Sequence, residues 1–274
     1  MLKRSFVSSE PELDLNAYLA RIEYAEDLSP TQSVLEALHL AHTMHIPFEN
    51  LDVLLGRPIP LDLLSLQIKM VHGGRGGYCF EHNTLFAAVL EHIGFRVTRL
   101  AARVRHGTTR VLPRTHMLLQ VDVEGSPWIA DVGFGGDGLL KPIPLVDNEV
   151  ATQWAWRYRA HNEDGPWVLQ SLIKGTWLDL YSFTQEPQLP VDFEVANYYV
   201  STHPDSRFTQ TLTAQLSTPE ARFILRDREF IEDRGDNQIS STIENDEELL
   251  AVLSEIFGLE FSSGTRFSTV KEEG

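Results

Sequence analysis

The chain has 274 residues, 42% of them apolar and 23% charged, which suits a soluble globular protein with two or three sub-domains. Its formal net charge of −16, from 39 acidic against 23 basic side chains, argues against non-specific nucleic-acid binding, which relies on basic surface. Residues 1–14 contain no apolar core of signal-peptide length and no run of about 18 apolar residues occurs, so no membrane span is expected. The single cysteine, Cys79, excludes an intramolecular disulfide and a multi-cysteine zinc site and suits the cytoplasm.

In residues 14–24, Leu15, Tyr18, Leu19 and Ile22 recur at helical spacing after Glu12 and Asp14. Ser29-Pro30 predicts a second helix, with Ser as N-cap and Pro at the first position, running through Val34, Leu35, Leu38, Ala41 and Met44 until Pro47 stops it. Pro47-Phe48-Glu49-Asn50-Leu51 reads as a turn, and residues 53–60, with Gly56, Pro58 and Pro60, as extended or loop. Asp62 caps a predicted third helix at 63–71. A fourth begins near Cys79, where Phe80, Leu85, Phe86, Val89, Leu90 and Ile93 lie at helical spacing before Gly94 at the C′ position. Residues 1–93 therefore read as a helical unit.

After Gly94 the period changes. Residues 95–104, 117–123, 128–132, 154–160, 167–172 and 177–183 read as strands separated by turn signals, which predicts a β-barrel or sandwich over 95–183. Residues 192–200 read as helix, and 209–216 and 222–225 as strands. Asn245, with Glu248 three residues on, opens a last helix that Gly258 closes.

Cys79 follows Gly73-Gly74-Arg75-Gly76-Gly77-Tyr78 at the predicted helix start. The helix dipole and the unpaired N–H groups there favour an anion, as a nucleophilic thiolate requires. The competing reading is a small buried core thiol, so the chemistry depends on finding a base elsewhere. Six arginines, at 96, 99, 103, 105, 110 and 114, stand in a segment with no acid. They are a candidate site for an anion such as phosphate, or else a strand and loop of solvated arginines.

Among ten histidines, His39, His42 and His45 fall at i, i+3 and i+6 with no carboxylate between them, and no metal is expected. His82, three residues past Cys79 on the same helix face, is one candidate partner of the thiol. His116 has the stronger context. It opens the strand at 116–123, and a tight turn at Glu124-Gly125 returns the chain along 126–132. A two-residue loop sets Val123 opposite Ser126, hence Leu118 opposite Asp131. His116 and Asp131 then become diagonal neighbours, roughly 7–8 Å apart at Cα and within side-chain reach. In that register Asp131 holds the His116 tautomer and stabilises its cation, whereas a slip of one residue separates them. Gly133-Phe134-Gly135-Gly136-Asp137-Gly138 satisfies G-x-G-x-x-G, but Pro142 and Pro144 preclude the helix a dinucleotide site needs. It reads as a flexible rim whose backbone approaches a ligand.

These residues resemble the arylamine N-acetyltransferases. RGGYCFEHN at 75–83 is similar to that family's cysteine motif and PFENLD at 47–52 to its upstream motif. Thr115-His116-Met117-Leu118 and Asp131-Val132-Gly133-Phe134-Gly135 resemble its histidine and aspartate motifs. LYSFT at 180–184, STHPDSRF at 201–208 and GTRFSTV at 264–270 extend the likeness over almost the full length, while His82 stands where Gln or Leu is expected.

The resemblance implies an α+β fold around a cysteine-protease-like catalytic core: an N-terminal helical bundle (1–93), a central β-barrel (94–200) and a C-terminal α/β lid (201–274). It implies a catalytic triad of Cys79, His116 and Asp131. The reaction implied is ping-pong transfer from acetyl-CoA, a co-substrate, through acetyl-Cys79 to an arylamine, arylhydrazine or arylhydroxylamine, as in xenobiotic metabolism. By position, Phe48, Val104, Phe134 and Phe208 are the expected aromatic-binding wall, with core packing as the alternative. Thr115, Tyr199 and Ser206 are the expected CoA contacts. The arginine run leading to His116 is an expected source of positive field for the CoA phosphates. The same triad also suits a cysteine hydrolase or transglutaminase-like enzyme, an amide synthase of the same family, or a non-catalytic binding module. No motif specifies an oligomeric state.

Overall fold

The computed structural model describes residues 12–108 and 110–268; residues 1–11, read above for a signal peptide, and Thr269-Val270 of the tail motif lie outside them. Helix α1 (Leu15–Arg21) is capped by the Asp14 carboxylate, which accepts from the Ala17 N–H at 3.0 Å. Helix α2 (Gln32–His45) starts later than expected: Thr31, not Ser29, is its cap, because the Thr31 hydroxyl accepts from the Val34 N–H while the Ser29 N–H is turned to Asp27. The PFENLD segment is not a plain turn. Phe48–Glu49 forms a short strand, β1, and Leu51–Leu54 a helical turn, α3. Helix α4 (Leu63–Leu66) starts at the expected Asp62 cap and widens into a π-helical stretch, Gln67–His72.

Helix α5 (Cys79–Ile93) ends at Gly94, whose φ of 109° favours glycine. Its Phe80, Leu85, Phe86, Val89 and Leu90 are completely buried, each contributing about 1.5–3 kcal/mol of apolar burial. That packing anchors the helix start where Cys79 sits.

Eight antiparallel strands then form a nearly closed barrel: β2 (Arg96–Val104), β3 (Arg114–Val123), β4 (Ser126–Ala130), β5 (Ile143–Pro144), β6 (Val150–Gln153), β7 (Trp156–Asn162), β8 (Trp167–Ile173) and β9 (Thr176–Phe183). Their spatial order is β5-β4-β3-β2-β9-β8-β7-β6. Trp154 is not in a strand. With φ at 55° it turns the chain between β6 and β7, where Gln153 pairs with Trp156; the apolar alternation of WAWRYRA ran straight through a turn that has no glycine. Strand β3 is covered on both faces. Met117, Leu119, Val121 and Val123 pack on the helical core, and Leu118 packs inside the barrel.

Helix α6 (Pro190–Thr202) is followed by α7 (Arg207–Gln210), so the strand predicted from 209 begins only at Thr213. Strands β10 (Thr213–Ser217), β11 (Arg222–Arg226), β12 (Glu229–Asp233) and β13 (Gln238–Thr242) join β1 in a second sheet, ordered β1-β10-β11-β12-β13. Helix α8 (Asp246–Phe257) packs on it through Leu249, Leu253 and Phe257. Strand β13 was invisible to periodicity because every residue in it is exposed. Phe48 pairs with Gln215 and Glu49 with Ala214, so the N-terminal segment supplies the edge of the C-terminal sheet. The fold is α+β. No helix among the described residues is long and apolar enough to cross a membrane.

Candidate active site

Cys79 is the first residue of α5. Behind it, the Tyr78 N–H donates to Glu81 Oε2 at 3.0 Å, the carboxylate half of a capping box. The loop in front is held by charge. Arg75 donates to Glu49 Oε1 at 2.6 and 3.0 Å and to Asp52 Oδ1 at 3.2 Å, and Lys69 bridges Asp52 (2.9 Å) and Glu81 (2.8 Å). Burial alone would disfavour the Lys69 cation, but Glu81, Glu49 and Asp52 outweigh it and raise the ammonium above its ordinary value. The glycines approach the protein itself. A Cβ on Gly76 would lie 1.8 Å from the Pro47 carbonyl oxygen, and one on Gly77 2.5 Å from the Glu81 carboxylate. They make room for β1 and the helix cap.

Strands β3 and β4 pair with Val123 opposite Ser126 and Leu119 opposite Ala130, the register the two-residue turn predicts. Asp131 therefore comes beside His116, and His116 Nε2 lies 2.7 Å from Asp131 Oδ2, both residues buried. Asp131 Oδ1 accepts from Asn83 Nδ2 and from the Gly133 N–H, each at 3.0 Å, and the Asp131 N–H donates to His39 Nε2 at 3.1 Å. Asn83 Nδ2 also donates to the Met117 carbonyl at 2.8 Å. The helix that carries the thiol thus also orients the carboxylate.

Burial opposes charge on His116, but the Asp131 carboxylate, aided by the nearby Cys79 sulfur, outweighs it, and the imidazole is pushed up to about 10. Burial likewise opposes charge on Asp131, yet His116 and the surrounding donors hold its carboxyl below the usual range. With Nε2 committed to Asp131, Nδ1 is the ring nitrogen left for the sulfur. In its neutral form the thiol donates to the Thr115 carbonyl at 3.7 Å. Phe134, edge-on at 5.2 Å, and Tyr181, at 4.8 Å, enclose the imidazole.

His82 does not face the thiol. Its Nε2 donates to the Pro47 carbonyl at 3.2 Å, its Nδ1 accepts from His42 Nε2 at 2.8 Å, and His42 Nδ1 accepts from the Tyr18 hydroxyl at 2.8 Å. Burial keeps both rings neutral, and because a carbonyl can only accept, the Pro47 contact then fixes the tautomer of each. Burial lowers His82 to about 4 and lowers His42 too. His39 and His45 have separate partners, the Leu140 and Ala41 carbonyls. No group of three His, Cys, Asp or Glu suited to a metal occurs among the described residues.

A cleft of about 350 Å³ opens over Cys79 and His116. Phe48, Val104, Phe134 and Phe208 line it, as do Thr115, Tyr199 and Ser206. The Ser206 hydroxyl is already engaged, donating to the Val200 carbonyl at 2.5 Å and accepting from the Phe208 N–H at 3.3 Å as the cap of α7. The GFGGDG loop rims the cleft through Gly133, Phe134, Gly136 and Asp137, and its glycines are closely packed. A Cβ on Gly133 would meet Cys79 Cα at 2.8 Å, one on Gly135 would meet Gln215 Oε1 at 2.0 Å, and the Gly136 N–H donates to that oxygen at 2.6 Å.

Four of the six arginines in the run are paired with acids outside it. Arg96 pairs with Asp122 (2.9 Å), Arg99 with Glu91 (2.6 Å), Arg105 with Glu163 (2.8 Å) and Asp179 (3.2 Å), and Arg114 with Glu186 (3.3 Å). Arg103 donates to the Leu112 carbonyl. Asn83 and His39 were missed at the sequence level. Asn83 had a readable signal: it lies four residues past Cys79, on the same face of an otherwise apolar helix.

A family model described as N-acetyltransferase matches residues 31–266. An arylamine N-acetyltransferase of Mycobacterium tuberculosis is 40% identical over 255 residues, 90% of this chain and 89% of its own. The chain belongs to the arylamine N-acetyltransferase family. Another relative, the arylamine N-acetyltransferase / N-hydroxyarylamine O-acetyltransferase of Salmonella typhimurium, is 44% identical over 200 residues, 72% of this chain and 71% of its own. The structure of Mycobacterium marinum arylamine N-acetyltransferase in complex with CoA matches with a TM-score of 0.85 at 36% identity, covering 89% of this chain and 92% of that one. As a member of the arylamine N-acetyltransferase family, the protein is an acyltransferase.

Proposed function

We propose that the protein transfers an acetyl group from acetyl-CoA to an arylamine, arylhydrazine or arylhydroxylamine in the cytoplasm, through an acetyl-Cys79 intermediate, with Cys79, His116 and Asp131 as its triad. The observation that carries this reading is the buried His116–Asp131 pair beside Cys79 at an open cleft. The names of the relatives and the CoA-bound neighbour support the donor and the acceptors.

His116 accepts the thiol proton, leaving a thiolate beside an imidazolium that Asp131 stabilises. The thiolate attacks the thioester carbonyl; the bond to the CoA sulfur breaks, and that sulfur leaves with the proton from His116. The amine nitrogen then attacks the acetyl carbon. His116 takes the amine proton, the bond to Cys79 breaks, and the thiolate–imidazolium pair returns. As the first N–H of a helix, that of Cys79 has no intrahelical acceptor and is placed to donate to the developing oxyanion. Phe48, Val104, Phe134 and Phe208 offer the apolar wall for an aryl ring, and Thr115, Tyr199 and Ser206 line the same cleft for CoA.

Intact-mass measurement tests the reading. Wild-type protein mixed with acetyl-CoA should gain one acetyl group and lose it faster when an arylamine is added, while Cys79→Ser should gain none. Absence of any gain in the wild type would refute it, and loss to water at a rate indifferent to amine would make the enzyme a hydrolase.

A further inference from the structure

We propose that Arg207 and Arg226 form an anion clamp that receives the phosphates of the acyl donor. The inference rests on the acetyl-CoA reading above and deepens it by naming residues that would recognise the donor's charge. Both residues line the cleft that holds Cys79 and His116. Arg207 is the first residue of α7, and Arg226 ends β11 opposite Thr213 of β10. Both residues keep solvent-exposed surface; the Arg207 guanidinium, set into the cleft wall, is lowered first by burial and then by the charge of Arg226, with Asp137 and Asp227 opposing.

Most other described arginines are ion-paired, but neither of these has a carboxylate within ion-pair distance or a side-chain hydrogen bond among the described residues. The nearby acids do not fill the role. Asp137 is turned to Arg222 (3.5 Å) and His106 (3.7 Å), and Asp227 Oδ1 accepts from the Leu212 N–H at 2.8 Å. Asp205, also on the cleft, has no ion pair with either arginine among the described residues. Two guanidinium groups that line one cleft with no carboxylate at ion-pair distance among the described residues, Asp137 and Asp227 acting on Arg207 only from farther off, suit an anion that joins them. Guanidinium groups match phosphate oxygens in bidentate geometry, so the ligand class is a phosphorylated thioester of the CoA type.

The test compares acetyl-CoA with acetylpantetheine, which presents the same thioester without phosphates, in wild type and in the Arg207→Gln/Arg226→Gln double variant. The quantity read is the ratio of kcat/KM for Cys79 acylation by the two donors, which cancels any general loss of active protein. The ratio should fall on the order of tenfold or more in the double variant and lose most of its dependence on ionic strength. Each single variant should show part of that fall. An unchanged ratio overturns the clamp and leaves the acetyl-CoA reading standing. A wild type that uses both donors equally also overturns the clamp alone, whereas a wild type acylated by neither overturns both.

Discussion

Replacing Asp131 by Asn keeps the side chain's shape and removes its charge, and the surrounding bonds decide how the amide sits. Oδ1 accepts from two donors, Asn83 Nδ2 and the Gly133 N–H, both at 3.0 Å, so the amide oxygen must take that place. Its NH2 then faces His116 Nε2, where a carboxylate oxygen now stands at 2.7 Å. An imidazole facing a donor at Nε2 carries its proton on Nδ1 and cannot accept one from Cys79. The scale follows from the same pair. An imidazole pushed up from 6.5 to about 10 is stabilised as a cation by on the order of 5 kcal/mol, consistent with the roughly 3–5 kcal/mol lost when a buried pair loses one partner. A loss near 4 kcal/mol slows acylation about a thousandfold. Single-turnover acylation by acetyl-CoA, followed by intact mass, and iodoacetamide alkylation across pH read this directly. Wild type should alkylate fast at neutral pH and Asp131→Asn slowly until alkaline pH. A variant that acylates and alkylates at wild-type rates would refute the tautomer reasoning.

Acid stability should report the buried neutral histidines. His39 and His82 are lowered from 6.5 to about 4, so their contribution is complete above about 6.5 and is lost as pH falls toward 4, by up to about 1.4 kcal/mol per pH unit for each. His116 works in the opposite sense: its contribution is complete below 6.5 and is lost as pH rises through about 10. Urea unfolding should show His82→Gln flattening the acid limb by about one histidine's slope, and an unchanged limb would count against the buried-neutral assignment. Gly133→Ala places a Cβ 2.7 Å from Asn83 Nδ2 and 2.8 Å from Cys79 Cα, so it should lower the melting temperature, with a cost of about 1–3 kcal/mol, and slow acylation together. Wild-type melting and acylation would show instead that the contact yields.

The helix start at Cys79 and the pairing of His116 with Asp131 were legible because each lies at a boundary with a local signal, whereas the thiol's place beside that pair came from the family resemblance. Cys79 precedes apolar spacing that ends at Gly94, and His116 and Asp131 flank a hairpin whose two-residue turn sets the register. The glycines of 73–77 and 133–138 announced close approaches without naming the partner, and the protein partners they meet are β1, the α5 start and Gln215. His82 shared a helix face with Cys79, but packing against α2 took its ring to His42 and Pro47. The arginine run looked like a free +6 because its acids lie on other elements, such as Asp179 on β9 and Glu91 on α5. Apolar periodicity and capping residues report one element at a time, so by itself the sequence determined the starts of α4, α5 and α8, the hairpin register and the change from a helical to a β-rich part after Gly94. Ion pairs and buried hydrogen bonds join residues tens of positions apart, as Asn83 joins Asp131 and His39 joins Leu140, and carry no periodic trace. Only the tertiary structure could decide which charges are paired, which histidines are neutral, and that Arg207 and Arg226 are left facing the cleft.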